Sequence, residues 1–292
     1  MDFKNAQELL KICDDTNMKI SAVMLRRECD NAECSEKSAV EQMKSALEIM
    51  RQSVIMPISH PRRSMGGLIG GEAAKLNMRI EKKESLCGSL LGKAICYAVG
   101  VLEVNASMGL IVAAPTAGSS GVVPGLLLAM QDEYGFSDDR IIEALFNASA
   151  VGYLAMRNAT VAGAVGGCQA EIGVASAMAA SAAAELMGGT PKQCLDAAGT
   201  VLMNMLGLVC DPVGGLVEYP CQSRNASGVA NALIAAEIAL SGVEQLIPFD
   251  EMLEAMYKVG KKLPAELRET ALGGCAATPT ACSLCGKCRA KG

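Results

Sequence analysis

The sequence predicts a mainly α-helical protein, a compact multi-helix domain in which glycine-rich loops surround a central helix of small residues. Two features of the composition support this prediction. Hydrophobic residues make up 51% of the 292 residues, yet aromatic residues make up only 3% and tryptophan is absent. Aromatic and β-branched side chains favour strands, whereas Ala, Leu and Met favour helices. A further observation is the three- and four-residue spacing of apolar residues, as at Val40, Met43, Leu47, Met50 and Val54.

Apolar spacing and capping residues together predict the individual helices. Ser137 precedes two acidic residues, and Thr190 precedes Pro191, which is the order found at helix N-termini. In residues 170–187 small side chains occupy every face, so we expect this helix to be packed on all sides, ending at Gly188. Besides the helix around residues 40–54, helices are expected at 86–104, 122–134, 138–157, 170–187, 191–208, 226–242 and 249–259.

Charge and hydropathy argue against two kinds of partner. The net charge is −5 and basic pairs such as Arg62-Arg63 are isolated, so we expect no nucleic-acid binding. Residues 104–131 carry no charge and are long enough to span a membrane. Pro115, Pro124 and the run TAGSSG would leave backbone groups unsatisfied in lipid, so we expect no membrane association. The first ten residues contain acidic side chains and no apolar segment, which predicts a cytoplasmic protein.

Four glycine-rich loops separate the predicted helices, at residues 65–73, 115–121, 161–169 and 210–215. Glycine permits close backbone approach, so four such loops indicate that backbone amides surround a small ligand. The alternative is that they are ordinary connections between helices. No internal boundary is visible before the C-terminal cysteines, so we expect a single helical catalytic domain at 1–274 and a cysteine-rich tail at 275–292.

The thirteen cysteines fall into three groups. In a reducing compartment we expect thiols or metal ligands rather than disulfides. Cys168, Cys210 and Cys221 lie in or beside glycine and proline loops, with a spacing that matches neither a structural zinc site nor a bacterial ferredoxin. Three thiolates from separate loops suit an iron–sulfur cluster that keeps one iron open as a Lewis acid. Six others lie in predicted helices and are expected to be ordinary thiols: Cys13, Cys29, Cys34, Cys87, Cys96 and Cys194.

Four segments together resemble a known family. They are GGLIGGEAAK, APTAGSSGVVPG, GCQAEIGVASAMAA and CDPVGGLVEYPCQSRNA, and the resemblance extends from about residue 59 to residue 280. The family is the catalytic alpha chain of the bacterial iron–sulfur-dependent L-serine dehydratases. The resemblance implies that Cys168, Cys210 and Cys221 hold a [4Fe-4S] cluster. It also implies a lyase that converts L-serine to pyruvate and ammonia without pyridoxal phosphate, together with a smaller beta chain in a heterodimer or higher oligomer.

Roles for other residues follow from the chemistry of that reaction. The substrate carboxylate needs donors, which the hydroxyls of Thr116, Ser119 and Ser120 and the amides around Gly118 offer. A base must remove the Cα proton, and the candidates are His60, Lys75 and Ser119, or a group on the beta chain. Three further polar residues are predicted beside the cluster or the substrate: Asn147, Arg224 and Asn225.

The tail contains Cys282, Cys285 and Cys288 at ferredoxin-like spacing, without the fourth cysteine and proline that complete that pattern. Three interpretations stay open: a second cluster or other metal, a disordered tail, or a cysteine that caps the fourth iron until substrate displaces it. The resemblance to single-chain relatives suggests the last. For the whole protein, the alternatives are an electron-transfer or activating subunit, a helical scaffold, and a related cysteine or threonine lyase.

Overall fold

The computed structural model describes residues 1–285 and is mainly α-helical, as predicted. Within those residues the only β-type pairing is an isolated bridge between Cys210 and Arg268. Thirteen α-helices occur in the same range: α1 Ala6–Thr16, α2 Ile20–Ala32, α3 Glu36–Ser59, α4 Glu72–Glu81, α5 Gly88–Ala106, α6 Val122–Tyr134, α7 Asp138–Asn158, α8 Gly163–Gly166, α9 Val174–Leu186, α10 Pro191–Asn204, α11 Cys221–Leu240, α12 Phe249–Lys262 and α13 Pro279–Cys285.

The apolar spacing located eight helices correctly, α3, α5 to α7 and α9 to α12. The predicted caps are also confirmed: the Arg140 amide donates to Ser137 Oγ, and Thr190 forms a capping box with Gln193. The predicted ranges do not include α1, α2, α4, α8 or α13. Cys13 and Cys29 were expected to be helical and lie in α1 and α2, whereas Cys34 and Cys87 lie just outside helices. The prediction began α11 five residues late, because the helix starts at Cys221, directly after Pro220.

Helix α9 is the centre of the fold, as its small residues predict. Every residue of Val174–Leu186 is buried, and α6, α7, α10 and α11 pack around it. The small side chains permit very close approach: a Cβ added at Gly228 of α11 would lie 2.7 Å from Ser176 Oγ and 3.1 Å from Ile172 Cγ2. Ahead of α9 the chain forms a π-helical turn, Gln169–Gly173, so the α-helix begins later than expected.

The uncharged stretch 104–131 does not form one continuous helix. It comprises the end of α5, the loop around Thr116 and most of α6. By length and composition alone, α5 is the one helix in the described part of the chain that is long and apolar enough to cross a membrane. Of its most apolar 18 residues, 56% are buried inside the fold, and the core helix of a globular protein passes the same test.

The beginning of the predicted tail packs against the rest of the protein. The turn Gly274–Ala277 and helix α13 contact the turn Val213–Gly215, and Ala276 and Ala281 are buried there. Cys282 Sγ lies 3.8 Å from the carbonyl oxygen of Ala276. The side chain of Cys285 and all of Cys288 lie outside the described residues. The division into 1–274 and 275–292 stays a prediction.

Candidate active site

Three cysteines that are distant in sequence come together. Cys168 precedes the π-helical turn, Cys210 follows the loop after α10, and Cys221 is the first residue of α11. All three are buried, and their thiols are close enough to interact electrostatically. Burial raises the pKa of Cys168 and Cys221 to about 12, and it raises the pKa of Cys210 well above the ordinary range. Arg224 nearby lowers the pKa of Cys168 and Cys221, but the effect of burial is larger, so the thiol form is favoured.

Backbone contacts fix Cys210 in this position. Its N–H donates to the carbonyl of Leu267 at 2.9 Å, and the N–H of Glu269 donates to its carbonyl at 2.6 Å. On the other side lies Gly163, where an added Cβ would come within 3.0 Å of Cys210 Sγ and 2.4 Å of Glu171 Oε2. A side chain at position 163 would therefore fill the space beside the thiol.

The chemistry of the three thiols suits a cluster better than a single ion. In residues 1–285 no group of three or more His, Cys, Asp or Glu side chains is arranged to hold one metal ion. In a [4Fe-4S] cluster each cysteine ligates a different iron, so the sulfur atoms do not converge on one point. Soft thiolates without imidazole favour such clusters, and iron would deprotonate them despite their burial. Cys168, Cys210 and Cys221 therefore fit a cluster with three protein ligands.

Loop 115–121 reaches the thiols through Glu171, which Thr116 and Gly118 both border. Thr116 Oγ1 donates to Glu171 Oε1 at 2.9 Å, and a Cβ added at Gly118 would lie 3.3 Å from the same oxygen. Ser119 and Ser120 are fully buried. Ser119 Oγ accepts from the N–H of Thr116 at 3.3 Å, which closes a capping box, and Ser120 Oγ donates to the carbonyl of Ala117 at 2.8 Å. The loop itself uses both serine hydroxyls, and their contact with the substrate and the role of Ser119 as a base stay predictions.

Asn225 attaches this loop to the helix that begins with Cys221. Its side chain is fully buried and makes three hydrogen bonds. The Oδ1 atom accepts from the N–H of Gly121 at 3.0 Å, while Nδ2 donates to the carbonyls of Gly118 at 2.8 Å and Cys221 at 2.9 Å. The loop and the cysteine are therefore held as one unit.

Arg224 lies beside the thiols, as the sequence predicts, but its charge is already paired. Nη1 donates to the carbonyl of Val209 at 2.8 Å and lies 2.6 Å from Asp211 Oδ1. Burial alone would lower the pKa of Arg224, but Cys168 and Asp211 raise it. The other carboxylate oxygen of Asp211 accepts from the N–H of Cys275 at 2.6 Å. The structure thus brings Cys275, a tail cysteine outside the predicted set, next to this ion pair.

Three other candidates are not brought to the thiols. His60 is exposed at the end of α3, where Nδ1 lies 2.9 Å from Ser59 Oγ beside a cavity of about 220 Å³. Lys75 is exposed on α4. Asn147 is buried in the core, where it donates to Glu185 Oε2 and accepts from Ser181 Oγ, both at 2.7 Å. Its amide serves a buried carboxylate on α9, and the role of Asn147 beside the substrate stays a prediction.

The sequence did not single out Glu171, whose carboxylate contacts both Cys210 and Thr116. Its Oε2 lies 3.5 Å from Cys210 Sγ, and Oε1 accepts from Thr116. Burial raises the pKa of Glu171, and Glu269 nearby raises it further. A signal was present in the sequence, because Glu171 is the only charged residue between Arg157 and Glu185.

Two other carboxylates attach the glycine-rich loop 65–73 to the same region. Glu218 is buried and accepts from Ser64 Oγ at 2.7 Å and from the amides of Gly66 and Leu68 at 2.6 and 3.0 Å. Glu218 lies in the turn between Cys210 and Cys221, so this loop packs directly on the cysteine-bearing turn.

Glu103 on α5 is the second of these carboxylates and is paired with Glu72. It accepts from the amides of Gly71 and Ala73 at 3.0 and 2.9 Å. Burial raises the pKa of Glu103, and contact with Glu72 adds to the increase, whereas hydrogen bonds outweigh burial at Glu72 and lower its pKa. Gln222 Nε2 lies 3.4 Å from Glu103 Oε1 and 3.5 Å from Glu72 Oε2, which connects the pair to the residue after Cys221.

Comparison with known proteins identifies the family. The model of the family "Serine dehydratase alpha chain" matches residues 15–276. The chain is 48% identical over 278 residues to the probable L-serine dehydratase alpha chain of Bacillus subtilis, covering 95% of this chain and 92% of the relative. It is 43% identical over 275 residues to the L-serine dehydratase alpha chain of Peptoniphilus asaccharolyticus, covering 94% of each. The L-serine dehydratase of Streptomyces coelicolor is 34% identical over 283 residues, which cover 96% of this chain but 62% of the relative. The chain therefore belongs to the serine dehydratase alpha chain family.

Proposed function

We propose that this chain is the catalytic subunit of a cytoplasmic L-serine dehydratase that uses a [4Fe-4S] cluster and no pyridoxal phosphate. The observation that supports this proposal most is that three buried thiols lie close together beside Glu171, which also accepts a hydrogen bond from Thr116 of the glycine-rich loop. The names of the relatives supply the substrate, because they are called L-serine dehydratases.

In this proposal Cys168, Cys210 and Cys221 hold the cluster, which when bound supplies a Lewis acid for the departing hydroxyl. The chain's own residues orient the substrate. The backbone amides around Gly118 bind the carboxylate, Thr116 holds Glu171 beside them through its hydroxyl, and Asn225 fixes the distance of this loop from Cys221. The burial of the thiols keeps bulk water away from the cluster.

Elimination removes the Cα proton and the Cβ hydroxyl as water and leaves aminoacrylate. This product rearranges to an imine, and hydrolysis of the imine gives pyruvate and ammonia. His60 and Lys75 are exposed and make no contact with the thiols, while the Ser119 hydroxyl is used within its loop. We therefore assign the proton acceptor to the partner chain.

That partner is a smaller beta chain, in a heterodimer or a higher oligomer. The two relatives named as alpha chains are covered over 92% and 94% of their length, whereas the relative from Streptomyces coelicolor, whose name mentions no chain, is covered over 62%. This difference in coverage supports a second polypeptide, which would supply the part that the longer relative carries within its single chain.

The test is pyruvate formation by the anaerobically purified complex of this chain and its partner, with L-serine and without pyridoxal phosphate. We expect pyruvate from L-serine, with L-threonine and L-cysteine as comparison substrates. A complex that contains four irons per chain but forms no pyruvate would favour the electron-transfer alternative. Preference for L-threonine or L-cysteine would redirect the assignment to a related lyase.

A further inference from the structure

Glu171 occupies an unusual position in the chain. It lies in the π-helical turn Gln169–Gly173, directly after Cys168 and directly before the central helix. Single π-helical turns are rare and frequently occur at functional sites. The residues around Glu171 are small or apolar, and no other charge is present between residues 158 and 184. A carboxylate in such surroundings is costly unless it has a task or a partner.

The carboxylate spans two parts of the site. Oε1 is 2.9 Å from Thr116 Oγ1, in the loop proposed to bind the substrate carboxylate. Oε2 is 3.5 Å from Sγ of Cys210. Added Cβ atoms at Gly118 and Gly163 would lie 3.3 and 2.4 Å from its oxygens, so glycine at both positions leaves the carboxylate uncovered. Glu171 thus lies between the loop and the thiols.

No cation of the described chain balances this charge. Within residues 1–285, Glu171 forms no ion pair, and the charged side chain that interacts with it is the acidic Glu269. The neighbouring Arg224 lies 2.6 Å from Asp211 and is neutralised there. Glu171 accepts hydrogen bonds from Thr116 and Cys210 but has no cationic partner within residues 1–285, so a cationic group of the substrate would complement it.

We propose that Glu171 binds the α-ammonium group of the substrate and so selects α-amino acids. This inference rests on the proposed function. The ammonium, carboxylate and hydroxymethyl groups of L-serine share one carbon atom. If the carboxylate binds at the loop amides around Gly118 and the hydroxyl points toward the thiols, the ammonium lies between them, where Glu171 borders both the loop and Cys210. Glu171 is then a specificity-determining residue that also orients the Cα–H bond.

Two ligands that cannot eliminate water provide the test. L-alanine and propionate lack the hydroxyl and differ only in the ammonium group. Binding of each to the anaerobic holoenzyme with its partner chain is measured by isothermal titration calorimetry. A charge-assisted hydrogen bond makes L-alanine bind about 10- to 100-fold more tightly in the unmodified enzyme. In Glu171→Gln, which keeps the shape and the acceptor for Thr116, this ratio is expected to fall towards one while the iron content stays unchanged.

Glu269→Gln is the matched control, because it removes the same charge near the thiols from an exposed side chain. The ratio is expected to stay high in this variant. An equal loss in Glu269→Gln, an unchanged ratio in Glu171→Gln, or equal binding of the two ligands by the unmodified enzyme each overturns the proposal.

If Glu171→Gln fails to retain iron, Glu171→Asp takes its place. The shorter acid keeps the charge but withdraws it by one methylene, so the ratio is expected to fall several-fold, and an unchanged ratio overturns the proposal. Failure of the function itself has a different signature, since an iron-loaded complex would then form no pyruvate from L-serine.

Discussion

Asn225→Ala should separate the loop that holds Thr116 from the helix that begins with Cys221. The asparagine is fully buried and connects these segments through bonds of 3.0, 2.8 and 2.9 Å to Gly121, Gly118 and Cys221. Alanine removes all three bonds without introducing a new charge or a larger side chain. The backbone groups of Gly118, Gly121 and Cys221 would lose their partner inside the fold, where water cannot readily replace the lost hydrogen bonds.

The expected cost follows from those three bonds. An intramolecular hydrogen bond contributes about 1 kcal/mol net, so the free energy of unfolding should fall by about 3 kcal/mol. Asn231→Ala is the matched control, because Asn231 lies on the same helix and makes one bond of 3.4 Å to Asn204. We expect that variant to lose about 0.5 kcal/mol or less.

Both variants are compared by urea unfolding, followed by circular dichroism at 222 nm, a wavelength that reports helix content. Linear extrapolation gives the free energy of unfolding in water. If Asn225→Ala and Asn231→Ala differ by less than about 1 kcal/mol, the assignment of Asn225 as the link between loop and helix is wrong.

Two further predictions concern packing and pH. A Cβ added at Gly125 would lie 2.9 Å from both Cβ and N of Ala98, so Gly125→Ala should separate α5 from α6 and lower the free energy of unfolding by about 1–3 kcal/mol. Gly173→Ala is the control, because its added Cβ meets nothing closer than 3.8 Å, and it should be neutral or slightly stabilising. Equal effects of the two substitutions in thermal unfolding would refute the close-packing argument. Because burial raises the pKa of Glu103, the folded chain keeps a proton that the unfolded chain releases above about pH 4.3, so stability falls as pH rises from there through the raised pKa. Glu103→Gln carries no ionisable proton and should flatten that decline in unfolding free energies measured between pH 5 and 8, whereas parallel pH profiles would contradict it.

The helices could be predicted because each signal is local. Apolar spacing records which face of a helix is buried whatever buries it, and caps such as Ser137 act on amides within the same turn. The central position of α9 followed from its small residues alone. By contrast, α4 has only ten residues, of which Ala73 alone is buried, so it has almost no buried face for such a pattern to report.

The site could be predicted only in part, because its geometry depends on contacts between distant segments. Glycine and proline around Cys168, Cys210 and Cys221 marked these cysteines as exceptional, but only the fold brings them together. A sequence does not show where a hydroxyl group points, so it could not show that Ser119 Oγ forms a capping box within its own loop. The hydrogen bond between Asn147 and Glu185 joins residues that are 38 positions apart, so local patterns could not predict it.

The central claim is that Cys168, Cys210 and Cys221 hold a four-iron cluster, and the iron and acid-labile sulfide content of the anaerobically reconstituted chain tests it most directly. We expect about four irons and four sulfides per chain, the composition of a [4Fe-4S] cluster. Cys168→Ala, Cys210→Ala and Cys221→Ala should each lose them, while Cys194→Ala, which removes a buried thiol from α10, should retain them. An iron-free unmodified chain, or full iron content in any of the three variants, would contradict the claim.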